Sequence, residues 1–148
     1  MRVLIQRSKN SSVTINDKIN GSINYGYVLL VGFTHNDTKS IIDKVVKKIL
    51  NLRVFEDENG KMNKSIIDVN GEILSISQFT LYADLSSGNR PSFTNALSFN
   101  EASKLYDYFN NKLRENNIKV ETGIFGSDMQ VSILNDGPVT IMIDSDNL

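Results

Sequence analysis

The chain has 148 residues, enough for one domain spanning 1–148 that buries roughly 70% of its unfolded surface and so needs no disulfide or metal to hold a core. It contains no cysteine, which excludes a disulfide framework, thiolate zinc sites and a cysteine nucleophile. The formal net charge is −1, without the basic excess usual in nucleic-acid binders, and the clusters Lys44, Lys47, Lys48 and Lys112, Arg114, Lys119 read as solvated helix faces.

No apolar run approaches the length of a bilayer span, and Gln6-Arg7 makes the start too polar for a signal peptide, so a soluble cytoplasmic protein without a membrane partner is expected. The first predicted elements are strands: Arg2 to Gln6, Ser12 to Ile15, Ile19 to Ile23 and Tyr27 to Phe33. The last is nearly continuous apolar over Val28, Leu29, Leu30 and Val31, the signature of a strand buried on both faces. Asn20-Gly21 and Tyr25-Gly26 read as turns. Ile41, Ile42, Val45, Val46, Ile49 and Leu50 recur at helical spacing, with Asp37 or Thr38 as the cap.

Short extended pieces follow, broken at Glu58-Asn59-Gly60 and Asn70-Gly71, and Glu72 to Leu81 reads as a strand. Ser86 to Pro91 is a loop. Ser98 with Glu101 forms a capping-box pattern ahead of an apolar stripe, Ala102, Leu105, Tyr106, Phe109 and Leu113, which Asn116-Asn117 ends. Lys119 to Thr122, Gln130 to Leu134 and Val139 to Ile143 complete the strands. Many strands with two helices predict a mixed α/β fold of three layers (β/β/α), with packed, barrel-like β layers and the helices covering one face.

Much of a hydrolase's usual equipment is missing. The one histidine, His35, sits just past a buried strand and reads as a capping or solvated polar residue rather than a triad member. Asp57-Glu58 and Asp144 with Asp146 are turn or tail carboxylates without histidine partners at ligand spacing, so no metal site and no cofactor are expected. No glycine-rich phosphate loop follows a strand.

Two segments remain. In Ser77-Gln78-Phe79-Thr80-Leu81, strand alternation would aim Gln78 and Thr80 one way and Ser77 and Phe79 the other. Backbone N–H groups freed at a strand end can hold a developing oxyanion without an ionisable side chain. Thr80 is a nucleophile only with a base nearby, and none is evident, so positioning of an ester or a water suits it better. In Asn135-Asp136-Gly137-Pro138-Val139-Thr140, Asp-Gly-Pro is a strong turn signal, read as the connection between the last two strands. Spacing alone leaves an ordinary polar strand and an ordinary turn open for these segments.

These two segments resemble the signature motifs of the D-aminoacyl-tRNA deacylases, and the similarity runs from end to end. It includes Arg2 to Arg7, Gly60-Lys61-Met62-Asn63, Arg90-Pro91-Ser92-Phe93, Leu105 to Phe109 and Asp128-Met129-Gln130-Val131. The resemblance implies a homodimer that hydrolyses the ester of D-aminoacyl-tRNA, with active sites at the subunit interface. It assigns Ser77, Gln78, Phe79 and Thr80 to the pocket, and Gly137-Pro138, as a cis peptide, to the partner's site. Phe125 and Met129 match the region receiving the terminal adenosine, and Arg7 matches a residue holding the Gly-Pro element. A paralogous branch carries Pro-Gln-Ala-Thr and Gly-Pro-Tyr-Thr with a trans bond; Phe79 and Val139 place this chain with the D-specific branch. Such an enzyme grips chiefly the aminoacylated end of tRNA, so a net charge of −1 is compatible with that partner. The alternatives are a non-catalytic RNA-end or amino-acid binding module of the same fold, an interaction domain of a larger assembly, and the paralogous deacylase itself.

Overall fold

The computed structural model describes residues 1–148. The chain begins with a long hairpin, β1 (Arg2–Ile15) and β2 (Lys18–Gly32), which pair antiparallel. Its turn is Asn16-Asp17, at φ +49° and +61°, the paired left-handed conformations that match strand twist and that Asn and Asp tolerate. The expected turns at Asn20-Gly21 and Tyr25-Gly26 are therefore corrected: both pairs lie inside β2. Gly26 is there for close approach, since it stands between Ser8 of β1 and Glu72 of the next sheet strand.

Helix α1 (Lys39–Asn51) starts where Thr38 accepts a hydrogen bond from the Ile41 N–H at 3.3 Å. Its stripe Ile42, Val45, Val46, Ile49 and Leu50 is fully buried. A small hairpin, β3 (Phe55–Glu56) and β4 (Met62–Lys64), leads to β5 (Glu72–Ser77). Helix α2 (Phe99–Arg114), β6 (Val120–Thr122) and β7 (Gln130–Asp144) follow. At the start of α2 the expected capping box is replaced by a bond between its two side chains: Ser98 Oγ donates to the Glu101 carboxylate at 2.6 Å rather than accepting from a backbone N–H.

The main sheet has the order β6-β5-β2-β1-β7. β5 runs parallel to β2 and to β6, and β7 antiparallel to β1. Alternation along β2 divides the core. Tyr27, Leu29 and Val31 join Met1, Val3 and Ile5 beneath the two helices, while Val28 joins Val13, Ile23, Leu74 and Ile76 in a smaller cluster. The apolar run of β2 is thus buried on both faces, as predicted, and the fold class is mixed α/β with a sheet core and two helices.

Several strand boundaries differ from expectation: Arg2–Gln6 and Ser12–Ile15 are one strand, β1, and Ile19–Ile23 and Tyr27–Phe33 fall in one strand, β2, which ends at Gly32. β5 stops at Ser77, not Leu81, because its partner β2 ends at Gly32; Gln78 N–H makes the last ladder bond, to Val31 O at 2.7 Å. Phe79–Tyr82 then forms a 3-10 turn, so the alternation argument does not reach Thr80. The two predicted C-terminal strands are one strand, β7, both halves pairing with β1. Asn135 to Thr140 is not a chain reversal but a bulge: Ser8 pairs with Asn135 and Gln6 with Thr140, leaving four residues of β7 opposite Arg7.

Several carboxylates are held below the ordinary aspartate range by donors in tight turns. Asp57 accepts from the N–H groups of Lys61 and Asn59, Asp68 from the N–H and hydroxyl of Ser65, and Asp84 from Ser86. Each binds its proton more weakly folded than unfolded, so its contribution is present above the unfolded pKa, about 3.9, and is lost as pH falls through the lowered folded value. Urea midpoints are expected to fall modestly from pH 7 to pH 3, since Asp68 is exposed and Asp57 and Asp84 are only half-buried. A midpoint that holds or rises over that interval would contradict the assignment.

Candidate active site

A cavity of about 570 Å³ opens where β2 and β5 end side by side. Its walls include Ser77, Gln78 and Phe79 from the end of β5, and Phe93, Phe125 and Met129 from two loops. Twelve of its 18 lining residues are hydrophobic, and Asp128 is the only ionisable one, so the site offers shape and backbone dipoles rather than charge. Phe79 stacks edge-on against Phe93 with centroids 4.9 Å apart, and Phe125 packs between Phe99 at 5.1 Å and Tyr106 at 5.6 Å. Tyr106 is buried and donates to Ser75 O at 2.7 Å, which ties the Phe125 wall to β5. Burial pushes the Tyr106 hydroxyl pKa up, so it stays protonated as that donor.

Past Gln78 the chain leaves the ladder. None of the backbone hydrogen bonds made outside the regular elements uses the N–H of Phe79 or Thr80, and these groups open the 3-10 turn beside the cavity. Thr80 is exposed and does not line the cavity; its hydroxyl accepts a hydrogen bond from the Gln78 side-chain amide. His35 stands outside as well. Its Nε2 donates to Thr94 O at 2.7 Å, and Thr34 Oγ1 donates to Asn95 O at 2.6 Å, so the pair secures the loop carrying Phe93. No three His, Cys, Asp or Glu side chains converge on one point.

The bulge in β7 is a second, separate feature. Arg7 is buried opposite it and ties the bulge to the connection between α1 and β3: Nη1 donates to Val54 O at 2.7 Å, and Nε lies 3.2 Å from the Asp136 carboxylate. Lys9 reaches the same carboxylate at 3.2 Å, and Asn135 Nδ2 donates to Thr140 Oγ1 at 2.7 Å across the base. Gly137, at φ +116°, lies against Arg7; a Cβ there would stand 3.0 Å from Nη2. The Gly137-Pro138 peptide is cis, and both residues are exposed.

The candidate residues thus fall into two groups within one chain. Ser77, Gln78, Phe79, Phe125 and Met129 share the cavity; Arg7, Gly137 and Pro138 form the bulge and do not line it. Sequence reasoning missed Phe99 as part of the wall. Its signal was an aromatic residue one position after the Ser98 cap, off the apolar stripe of α2, and it is 61% exposed.

The pattern of the family described as D-Tyr-tRNA(Tyr) deacylase matches residues 4–144. The chain belongs to this family. Among D-aminoacyl-tRNA deacylases so named, that of Bacillus cytotoxicus is 55% identical over 145 residues, covering 98% of this chain and 99% of the relative. One from Bacillus cereus is 53% identical over the same shares. A solved structure described as a c-Myc DNA unwinding element binding protein superposes with a TM-score of 0.91 at 41% identity, covering 97% of this chain and 98% of that one. Another, described as a probable eukaryotic D-amino acid tRNA deacylase, gives 0.83 at 19% identity over 96% and 97%, a likeness of fold. In this deacylase family member, both signature segments are surface features at the ends or edge of one sheet.

Proposed function

We propose that the protein is a D-aminoacyl-tRNA deacylase, hydrolysing the ester between a D-amino acid and the terminal ribose of tRNA, and that it works as a homodimer with each cavity completed by the partner's bulge. The observation that carries this reading is the separation just described. A chain of this family keeps its cavity and its Gly137-Pro138 bulge apart, and a second copy would bring them together. β7 is an edge strand with Leu134 exposed just before the bulge, the kind of edge that proteins cover. The side chain of Asn20 in β2 donates to Thr122 O of β6 at 2.7 Å, which supports layers that curl toward closure.

In this reading the terminal adenosine lies against Phe125 and Met129, and the ester carbonyl faces the free N–H groups of Phe79 and Thr80, which stabilise the oxyanion. Thr80 and Gln78 position the attacking water, and the neighbouring ribose hydroxyl assists it in place of a side-chain base. Backbone carbonyls at Gly137 and Pro138 form a wall at the substrate α-carbon. A D-side chain points away from the wall and an L-side chain runs into it. Exclusion by a wall suits a task in which side-chain size varies, because pockets discriminate poorly between such groups. Glycine has no side chain to exclude, so glycine mischarged on tRNA(Ala) is cleaved as well. The cytoplasm, where aminoacyl-tRNA is used, is the proposed location.

Paired deacylation assays with D-tyrosyl-tRNA and L-tyrosyl-tRNA test the proposal. The D-form is expected to be hydrolysed about 10³-fold faster in kcat/KM, the scale of a steric penalty near 4 kcal/mol. Binding of both forms with hydrolysis of neither would replace the enzyme by the binding module.

A further inference from the structure

We infer that the lysine face of α1 is the docking surface for the acceptor-stem phosphates of the tRNA whose end enters the cavity. The inference rests on the deacylase reading above and adds where the rest of the substrate lies. Helix α1 carries Lys39, Lys44, Lys47 and Lys48 against one acid, Asp43, in a chain whose net charge is −1. All four lysines are exposed and none takes part in a salt bridge; Lys18, Lys61 and Lys104 are likewise exposed and outside any salt bridge but stand singly, whereas Lys44, Lys47 and Lys48 lie within five residues of one helix. Asp43 is engaged by the Tyr108 hydroxyl, which donates to it at 2.9 Å. A set of exposed lysines without acid partners is a favourable place for phosphates, because no ion pair has to be broken to bind them.

Placement favours the substrate itself as the occupant. A groove of about 690 Å³ is lined by Lys48, Arg2 and Leu81 and by Ile141 to Asp144 at the end of β7, with Asp144 already paired to Arg2 at 2.9 Å. Arg2 Nη1 donates to Leu81 O at 2.9 Å, and Leu81 belongs to the 3-10 turn whose first residue, Phe79, lines the cavity. The two openings therefore lie on either side of one four-residue turn. Lys44 is one helical turn from Lys48 on the same face, so cations continue outward from that turn along α1. Nucleic-acid phosphates are the chemistry that such a row recognises without regard to sequence.

The test is binding of uncharged tRNA across a salt series, with deacylation followed separately. In Lys44→Gln/Lys47→Gln/Lys48→Gln, the slope of log K against log salt is expected to be shallower by about 2–3, and affinity at low salt weaker by about 10–100-fold. The Lys18→Gln/Lys61→Gln variant, with exposed lysines elsewhere, is expected to change the slope by less than about 0.5. The thermal midpoint reports folding of each variant. Hydrolysis of the small ester D-tyrosyl-adenosine, which has no stem, is expected to be unchanged in the triple variant. An unchanged slope in the folded triple variant, or an equal change in the control, overturns the docking surface. Failure of the parent protein to cleave either ester overturns the deacylase reading instead, and the binding slope still decides the surface.

Discussion

Arg7→Ala is expected to lower stability by about 3 kcal/mol and to cut kcat/KM for D-tyrosyl-tRNA by roughly 100-fold, while narrowing the preference for D over L. The side chain is only 7% exposed and holds the bulge and the segment before β3 at once. Its loss leaves Val54 O without its donor and the Asp136 carboxylate, 26% exposed, with only the solvated Lys9. Removing one partner of a buried, hydrogen-bonded charge pair costs far more than the pair contributes net, because the other group stays desolvated. The functional loss has a different origin. Gly137 lies against Arg7, so a bulge without the guanidinium loses the contact that sets its projection. Arg7→Lys restores a charge near Asp136 but not the two-armed geometry, and is expected to fall between parent and alanine variant. Urea unfolding and paired D and L kinetics read the two effects separately. A destabilised Arg7→Ala enzyme with an unaltered D-to-L ratio would show that the bulge plays no part in chirality.

Gly26→Ala is expected to be the most damaging small substitution in the chain, preventing folding or costing more than about 4 kcal/mol. Gly26 has φ +149° and faces Glu72 across the parallel pairing of β2 and β5. An added Cβ would lie 2.6 Å from Glu72 N and closer still to its carbonyl oxygen, so backbone would have to move. The register from Gly26–Glu72 to Val31–Ser77 delivers Ser77, Gln78 and Phe79 to the cavity, and displacing its first pair displaces the site. Gly60→Ala is the control. Gly60 also has positive φ, +71°, but a Cβ there meets nothing within 4 Å, so its cost is limited to about 1 kcal/mol of backbone strain. Soluble yield and urea midpoints of the two variants are expected to differ sharply. Similar midpoints would mean that the β2–β5 contact is looser than its geometry indicates.

The helices, the doubly buried β2 and the location of both signature segments were legible because each depends on local periodicity or a short motif. Ile41, Ile42, Val45, Val46, Ile49 and Leu50 describe α1 by spacing alone, and all but the half-buried Ile41 are buried. What was not legible depends on residues distant in sequence. Gly26 reads as a turn until Glu72 is seen against it. Asp136-Gly137-Pro138 reads as a reversal because its local chemistry is that of a turn; only continued pairing of β1 with both halves of β7 makes it a bulge. Strand alternation was carried too far, to Thr80, because the end of β5 is set by where β2 ends, 45 residues upstream of Ser77 at Gly32. The Arg7–Val54 bond spans 47 residues and has no local signature at all.

The central claim is that one subunit's bulge completes the other subunit's cavity, and mixed dimers test it most directly. One subunit carries Gly137→Val, to disable the bulge, and the other carries Gln78→Ala with Thr80→Ala, to disable the cavity; each homodimer is expected to be inactive alone. Refolded together, they are expected to recover D-tyrosyl-tRNA hydrolysis to roughly a quarter of the parent level, the share from random pairing with one intact site per mixed dimer. Persistent inactivity of verified mixed dimers would contradict the account.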